Sequence, residues 1–123
     1  MGDITISIVN TIADGYGIEA EDGQKVFELI LKAFKGKKKV TLSFLNIEML
    51  TTAFLNTAVG QLYRDFSEEY IKENLKVSDI SDSGKVALKR VVETAKLYYK
   101  DPDALKRSID EVSFLTEAIL FGK

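Results

Sequence analysis

The sequence predicts an α/β fold: a small β-sheet with about four helices packed on it. Two observations carry this reading. Short β-branched runs with period-two spacing alternate with longer stretches whose apolar residues recur at helical spacing, the signature of a sheet covered by helices. The chain has 123 residues, 46% of them apolar, which is enough to fill one core. A single Pro and eight scattered Gly leave no linker or low-complexity tract that would divide it. Residues 1–123 are therefore expected to form one domain.

The elements follow in order. "DITISIVNTI", Asp3 to Ile12, alternates Ile4, Ile6 and Ile8 with Thr5 and Ser7, and reads as a strand with one buried face. "ADGYG" reads as a turn in which Gly15 and Gly17 take positive φ without steric cost. "EDGQKVFELILKAFKG" switches to helical spacing, with Val26, Phe27, Ile30, Leu31 and Phe34 on one face and Gly36 as terminator. "KKKVTLSFLN" supplies a second strand, with Val40, Leu42 and Phe44 inward. "AFLNTAVGQLYRDF" reads as a helix burying Phe54, Leu55, Ala58, Leu62 and Phe66, and "SEEYIKE" as its solvated end. "LKVSDI" is a short third strand. "SDSGKVALKRVVETAKLYYK" is a helix capped by Ser81 or Asp82, with Leu88, Val91, Val92, Ala95 and Tyr98 inward. Asp101-Pro102 breaks it and starts a fourth helix carrying Leu105, Ile109, Val112, Leu115 and Ile119.

Composition narrows the chemistry. With no Cys and no His, the usual zinc sites, thiolate nucleophiles and His-dependent triads are absent, which weighs against catalysis. No cofactor is implied. A formal charge of −2 provides no strong field for nucleic acid or an anionic membrane. No apolar run approaches the ~20 residues of a membrane span, and "MGDITISIVN" has no basic stretch ahead of its apolar residues. A cytoplasmic protein is expected. The glycine turns "DGYG" and "EDGQ" lack calcium-loop spacing, and "SDSGK" lacks the remainder of a phosphate-binding loop. "GKKK", Gly36 to Lys39, suits a helix C-terminus.

The informative stretch is "LNIEMLTTAFLN", Leu45 to Asn56, at a strand-to-helix corner. Thr51 or Thr52 can cap the helix, a contribution of about 1 kcal/mol. Thr52 is also a candidate phosphorylation site, because a helix N-terminus tolerates the added charge of roughly −1.5 to −2. The third reading is a recognition surface made of Asn46, Thr51, Thr52, Ala53 and Asn56.

"VTLSFLNIEMLTTAFLNTAVGQLY", Val40 to Tyr63, resembles the central segment of STAS-like domains, and more closely the bacterial STAS-like family of unknown function. Thr51, Thr52, Phe54, Leu55 and Asn56 carry the resemblance, which extends over roughly residues 26 to 99. It implies a small sheet with packed helices and a role in protein–protein regulation. In the related anti-sigma-factor antagonists an Asp and two Ser stand at this corner, the second Ser being the phosphate acceptor. Here Thr51, Thr52 and Ala53 fall at those three places, so the acceptor position carries no hydroxyl.

These readings lead to the expectation of a non-enzymatic regulatory module that binds a protein partner through the corner, with a histidine-kinase-like ATP-binding regulator implied by the resemblance. The alternative is a small-molecule or nucleotide-binding α/β domain using the "ADGYG" turn beyond the strand C-termini. The apolar "AILF" near the C-terminus also raises the expectation of a homodimer.

Overall fold

The computed structural model describes residues 2–100. In chain order they form β1 (Asp3–Ser7), α1 (Ile8–Ile12), β2 (Tyr16–Gly17), α2 (Ala20–Lys35), β3 (Lys39–Ser43) and β4 (Met49–Leu50). There follow α3 (Thr52–Leu55), a π-helical turn (Asn56–Gly60), α4 (Leu62–Asp65), α5 (Glu68–Asn74), β5 (Leu75–Ser78) and α6 (Asp82–Lys100). The fold is mixed α/β, as the alternation of periods predicts.

β1, β3 and β5 make a parallel sheet in the order β1-β3-β5. Register places Ile4 and Ile6 beside Val40 and Leu42, and these beside Leu75 and Val77, so six aliphatic residues share one face. Helix α2 packs on β1 and β3, α5 packs on β3 and β5, and the α3–α4 segment packs against α2 with α6 leaning on it. The opposite face carries Asp3, Thr5, Lys39, Thr41 and Lys76, and among the described residues it stays polar and largely open. Parallel sheets are ordinarily covered on both sides; here the hydroxyl and charged side chains make cover on the second side unnecessary.

Several local expectations are corrected. β1 stops at Ser7 instead of running to Ile12, because the Ser7 hydroxyl accepts from the Asn10 amide at 3.2 Å and caps a one-turn helix. Ile8 and Ile12, four apart, then both enter the core. Burial overrides the strand propensity of a β-branched run. Gly15 and Gly17 do not take positive φ; Ala13 does, at 58°. The two glycines serve close approach. A Cβ on Gly15 would stand 3.1 Å from the Asn46 carbonyl, and one on Gly17 would stand 3.2 Å from the Phe54 ring.

Helix α2 ends in a Schellman pattern. The Lys38 amide reaches the Ala33 carbonyl at 2.9 Å and the Lys37 amide reaches the Phe34 carbonyl at 3.0 Å. The left-handed residue is Lys37, φ 61°, while Gly36 has φ −85°. The expected terminator therefore sits one residue ahead of the conformation that needs it.

The helix expected over 53–66 is interrupted by the π turn, where the Gln61 amide bonds the Asn56 carbonyl at 3.1 Å. The Gln61 side chain also enters the turn, donating to the Thr57 carbonyl at 2.8 Å and to Gln24 Oε1 of α2 at 2.9 Å. The π turn is buried between α2 and α6 through Ala58, Val59 and Gly60. Gly23 of α2 allows this contact, since a Cβ there would lie 2.5 Å from the Phe54 carbonyl.

"SEEYIKE" is not a solvated helix end but a separate helix, α5. Ser67 caps it, accepting from the Tyr70 amide at 3.1 Å, and Ile71 is buried. Phe34 meets Phe66 and Tyr70 edge-on at 5.0 and 5.3 Å. In α6 the cap is Ser81, whose hydroxyl accepts from the Gly84 amide at 3.0 Å. Val91 and Ala95 are buried, Leu88 and Val92 are half-buried, and Tyr98 is exposed instead of facing inward. The fourth helix and its "AILF" lie outside the described residues.

Candidate functional site

The corner is built at the C-terminal end of the sheet. β3 delivers the chain to Ser43 and Phe44, and the Phe44 amide bonds the Ser78 carbonyl at 2.9 Å, extending the ladder toward β5. The chain then turns through Asn46, which is exposed with φ 66°, a conformation that Asn tolerates better than most side chains. β4 follows and pairs in parallel with β2, setting Tyr16 beside Met49 and Gly17 beside Leu50. The Glu48 amide to the Gly15 carbonyl (2.7 Å) and the Thr51 amide to the Gly17 carbonyl (3.0 Å) clamp the two ends of this ribbon.

Alternation along the ribbon decides what each side does. Gly17 and Leu50 point inward, and the Phe54 ring closes against Gly17. Tyr16 and Met49 point outward and stay 47% and 51% exposed. Ile18 and Leu45 are exposed as well, at 40% and 54%. Four bulky apolar side chains thus surround the corner in the open. The ribbon that carries Tyr16 and Met49 is held by the Glu48 and Thr51 amide bonds and backed by Phe54, which is itself fully buried.

Thr51 is the N-cap of α3, with φ −115° and ψ 158°. Its hydroxyl accepts from the Phe54 amide at 3.1 Å and donates to the Ile18 carbonyl at 2.6 Å. The hydroxyl therefore joins the α3 N-terminus to the segment leaving β2. Thr52 is the first residue of α3 and is half-buried; Ala53, next to it, is exposed. Asn56 is half-buried where the π turn begins, and its carbonyl accepts from Gln61.

The structure keeps Asn46, Thr51, Thr52, Ala53 and Asn56 on one strand-to-helix segment and adds Tyr16 and Ile18 to it through the ribbon. These two, with Leu45 and Met49, had no mark in the sequence: two-residue strands are too short to show a period, and the pairing joins positions distant in the chain.

A hollow of about 180 Å³ lies between the corner and the start of α6, lined by Glu48, Met49, Leu50, Ser81, Ser83 and Gly84. Gly84 permits the close fit, as its Cβ would stand 2.8 Å from Ile80 and 3.2 Å from Leu50. The Ser81 and Ser83 hydroxyls lie 3.3 Å apart, and either can donate to the other. Among the described residues no group of carboxylates is arranged to hold a metal ion, and no helix is long and apolar enough to cross a membrane.

Residues 22–85, just over half of the chain, match a STAS-like domain of unknown function (DUF4325). The matched span runs from α2 through β3, β4, the corner, the π turn and β5 into the first turn of α6. No curated protein and no solved structure matches the chain. With its parallel sheet, its packed helices and the hydroxyl-bearing helix start behind β3, the chain belongs to this STAS-like family of unknown function.

Proposed function

We propose that the protein is a non-enzymatic regulatory module that docks a protein partner on the corner from Asn46 to Asn56. The observation that carries the proposal is the outward pair Tyr16 and Met49, half exposed on a ribbon whose inner side is anchored on Phe54. Aromatic residues and Met are enriched at protein interfaces, and a rigid apolar surface loses little side-chain and loop freedom on binding. Tyr16, Ile18, Leu45 and Met49 form the apolar centre. Asn46, Thr52 and Asn56 supply its polar edge with the small Ala53 between them, and Thr51 holds the edge in place from within.

By the resemblance, the partner is a histidine-kinase-like ATP-binding regulator, met in the cytoplasm. Thr52 is the candidate phosphate acceptor, since Ala53 has no hydroxyl. A phosphate on Thr52 would add charge beside the apolar centre, and so oppose docking of an apolar partner surface.

The small-molecule alternative has less support. The hollow beside the corner, about 180 Å³, is smaller than the ~300–1,000 Å³ typical of sites that enclose a small ligand. No thermal shift across a nucleotide panel is expected.

The experiment is affinity capture from native cytosol with the full chain as bait, repeated with Tyr16→Asp, Met49→Asp and Thr52→Glu, with intact mass recorded for each bait. A partner held by the wild type and lost by all three variants, at unchanged thermal unfolding, supports the reading. A partner retained by every variant places its contact elsewhere and overturns it.

A further inference from the structure

We propose that the Asp14–Gly15 bond is a site of spontaneous modification, where Asp14 isomerises to isoaspartate and lengthens the main chain as it enters the β2–β4 ribbon. The sequence has two Asp–Gly bonds, Asp14–Gly15 and Asp22–Gly23. Glycine has no Cβ to shield its amide or to restrict the turn, so its nitrogen reaches a preceding aspartyl carboxyl more readily than that of other residues. The folded chain treats the two bonds differently.

Asp22–Gly23 is locked. Both residues lie in α2, their amides donate to the Glu19 carbonyl at 3.1 Å, and the Asp22 carboxylate pairs with Lys25 at 3.3 Å. Gly23 is also buried, so close to the Phe54 carbonyl that a Cβ would lie 2.5 Å from it. Asp14–Gly15 is open. It lies between α1 and β2, outside any helix or strand, and Asp14 is exposed. Among the described residues no backbone carbonyl accepts from the Gly15 amide. Asp14 Oδ1 accepts from the Tyr16 amide at 3.1 Å, which bends the carboxyl back over the intervening Gly15 peptide.

The reaction needs no co-reactant except water. The Gly15 nitrogen attacks Cγ of the Asp14 carboxylic acid; an N–Cγ bond forms, a Cγ–O bond breaks, and the oxygen leaves as water with the acid and amide protons. Water then adds to the Asp14 main-chain carbonyl carbon of the five-membered imide. The C–N bond breaks there, and the nitrogen keeps Cγ and regains a proton. Nothing is oxidised or reduced. The chain now runs through Cβ and Cγ, one carbon longer, with a free carboxylate on Cα. The next anchor is the Gly15 carbonyl, which accepts from the Glu48 amide at 2.7 Å. The longer link displaces that anchor and loosens the ribbon that holds Tyr16. This inference stands without a partner at the corner.

The full chain would be incubated at neutral pH, folded and in parallel in guanidinium, then cut after Glu19 to separate Asp14 from Asp22. Isoaspartate is measured by enzymatic methylation of its α-carboxylate and by chromatography of the equal-mass peptides. Both sites should react alike in denaturant, whereas in the folded chain Asp14 should react at least about tenfold faster than Asp22. The isolated isoaspartyl chain should melt below its parent. Equal folded-state rates would overturn the site, as would a folded chain that forms no isoaspartate at Asp14 while the denatured chain does. A signal in this peptide that survives Asp14→Glu belongs to Asp3 and overturns the assignment. An isoaspartyl chain that melts with its parent overturns the effect on the ribbon.

Discussion

The Thr51 hydroxyl donates to the Ile18 carbonyl at 2.6 Å while accepting from the Phe54 amide at 3.1 Å, so one side chain fastens a helix start to a distant strand end. Thr51→Val keeps the shape and removes both bonds. It should destabilise the fold by about 1–2 kcal/mol, combining loss of the cap with an unmet carbonyl. Thr51→Ser should retain most of that. Denaturant midpoints at constant m-value check the pair; equal midpoints for both variants would refute the role.

The end of α2 yields an inverted glycine prediction. Lys37 occupies the left-handed position, so Lys37→Gly should stabilise by roughly 0.5–1 kcal/mol through relief of Cβ strain. Gly36→Ala should change stability by no more than about 0.5 kcal/mol, since its Cβ would meet only the Ala33 and Lys32 carbonyls at 3.5 Å. A large loss for Gly36→Ala would mean that the left-handed residue is Gly36 after all.

Two buried glycines should respond oppositely to a methyl group. At Gly23 a Cβ would sit 2.5 Å from the Phe54 carbonyl, so α2 must move away from the π turn, and Gly23→Ala should cost about 1–3 kcal/mol. At Gly60 the nearest atoms are 3.5 Å or farther, in ordinary contact with Asn56 and Val91. Gly60→Ala should be tolerated. Thermal unfolding of the two variants side by side tests the difference.

Alkaline stability should depend on Tyr63. Burial raises its phenol above the usual pKa, with Glu68 adding to the rise and Lys96 opposing it. A group raised in the folded state contributes stability that is fully present below its unfolded value, near pH 10, and is lost as pH climbs through the folded value. Lys96 is also raised, first by its hydrogen bond to Glu68, and acts in the same direction and window from the surface. Stability should therefore fall above about pH 10, and Tyr63→Phe should flatten part of that fall. Denaturation midpoints against pH, with tyrosinate absorbance alongside, measure it; an unchanged slope in Tyr63→Phe would exclude Tyr63 as the source.

How much of this was legible in the sequence follows from the length of each signal. The face of α2 was readable because 16 residues repeat a period several times, and Val26, Phe27, Ile30 and Phe34 are all buried. The inward residues of β3 were readable because Val40, Leu42 and Phe44 alternate cleanly. The boundary at Ser7 was not, since Ile and Val favour strands and only tertiary burial makes Ile8–Ile12 helical. The π turn was also hidden, because Phe54, Leu55, Ala58 and Leu62 satisfy an ordinary helical period as well. At the corner the sequence marked the hydroxyls and the amides but not the apolar patch. Exposure of Tyr16 and Met49 depends on a pairing that no local pattern announces.

The π turn also takes up a surplus residue between two stretches of the same helix. Its i→i+5 bond closes a turn that holds one residue more than a regular one. The surplus is absorbed by the wider turn, so the stretches on either side keep the facing that an unbroken α-helix without it would give them. Deleting one residue between Asn56 and Gly60 should therefore restore an ordinary ladder and leave the direction in which Thr52 and Ala53 face nearly unchanged.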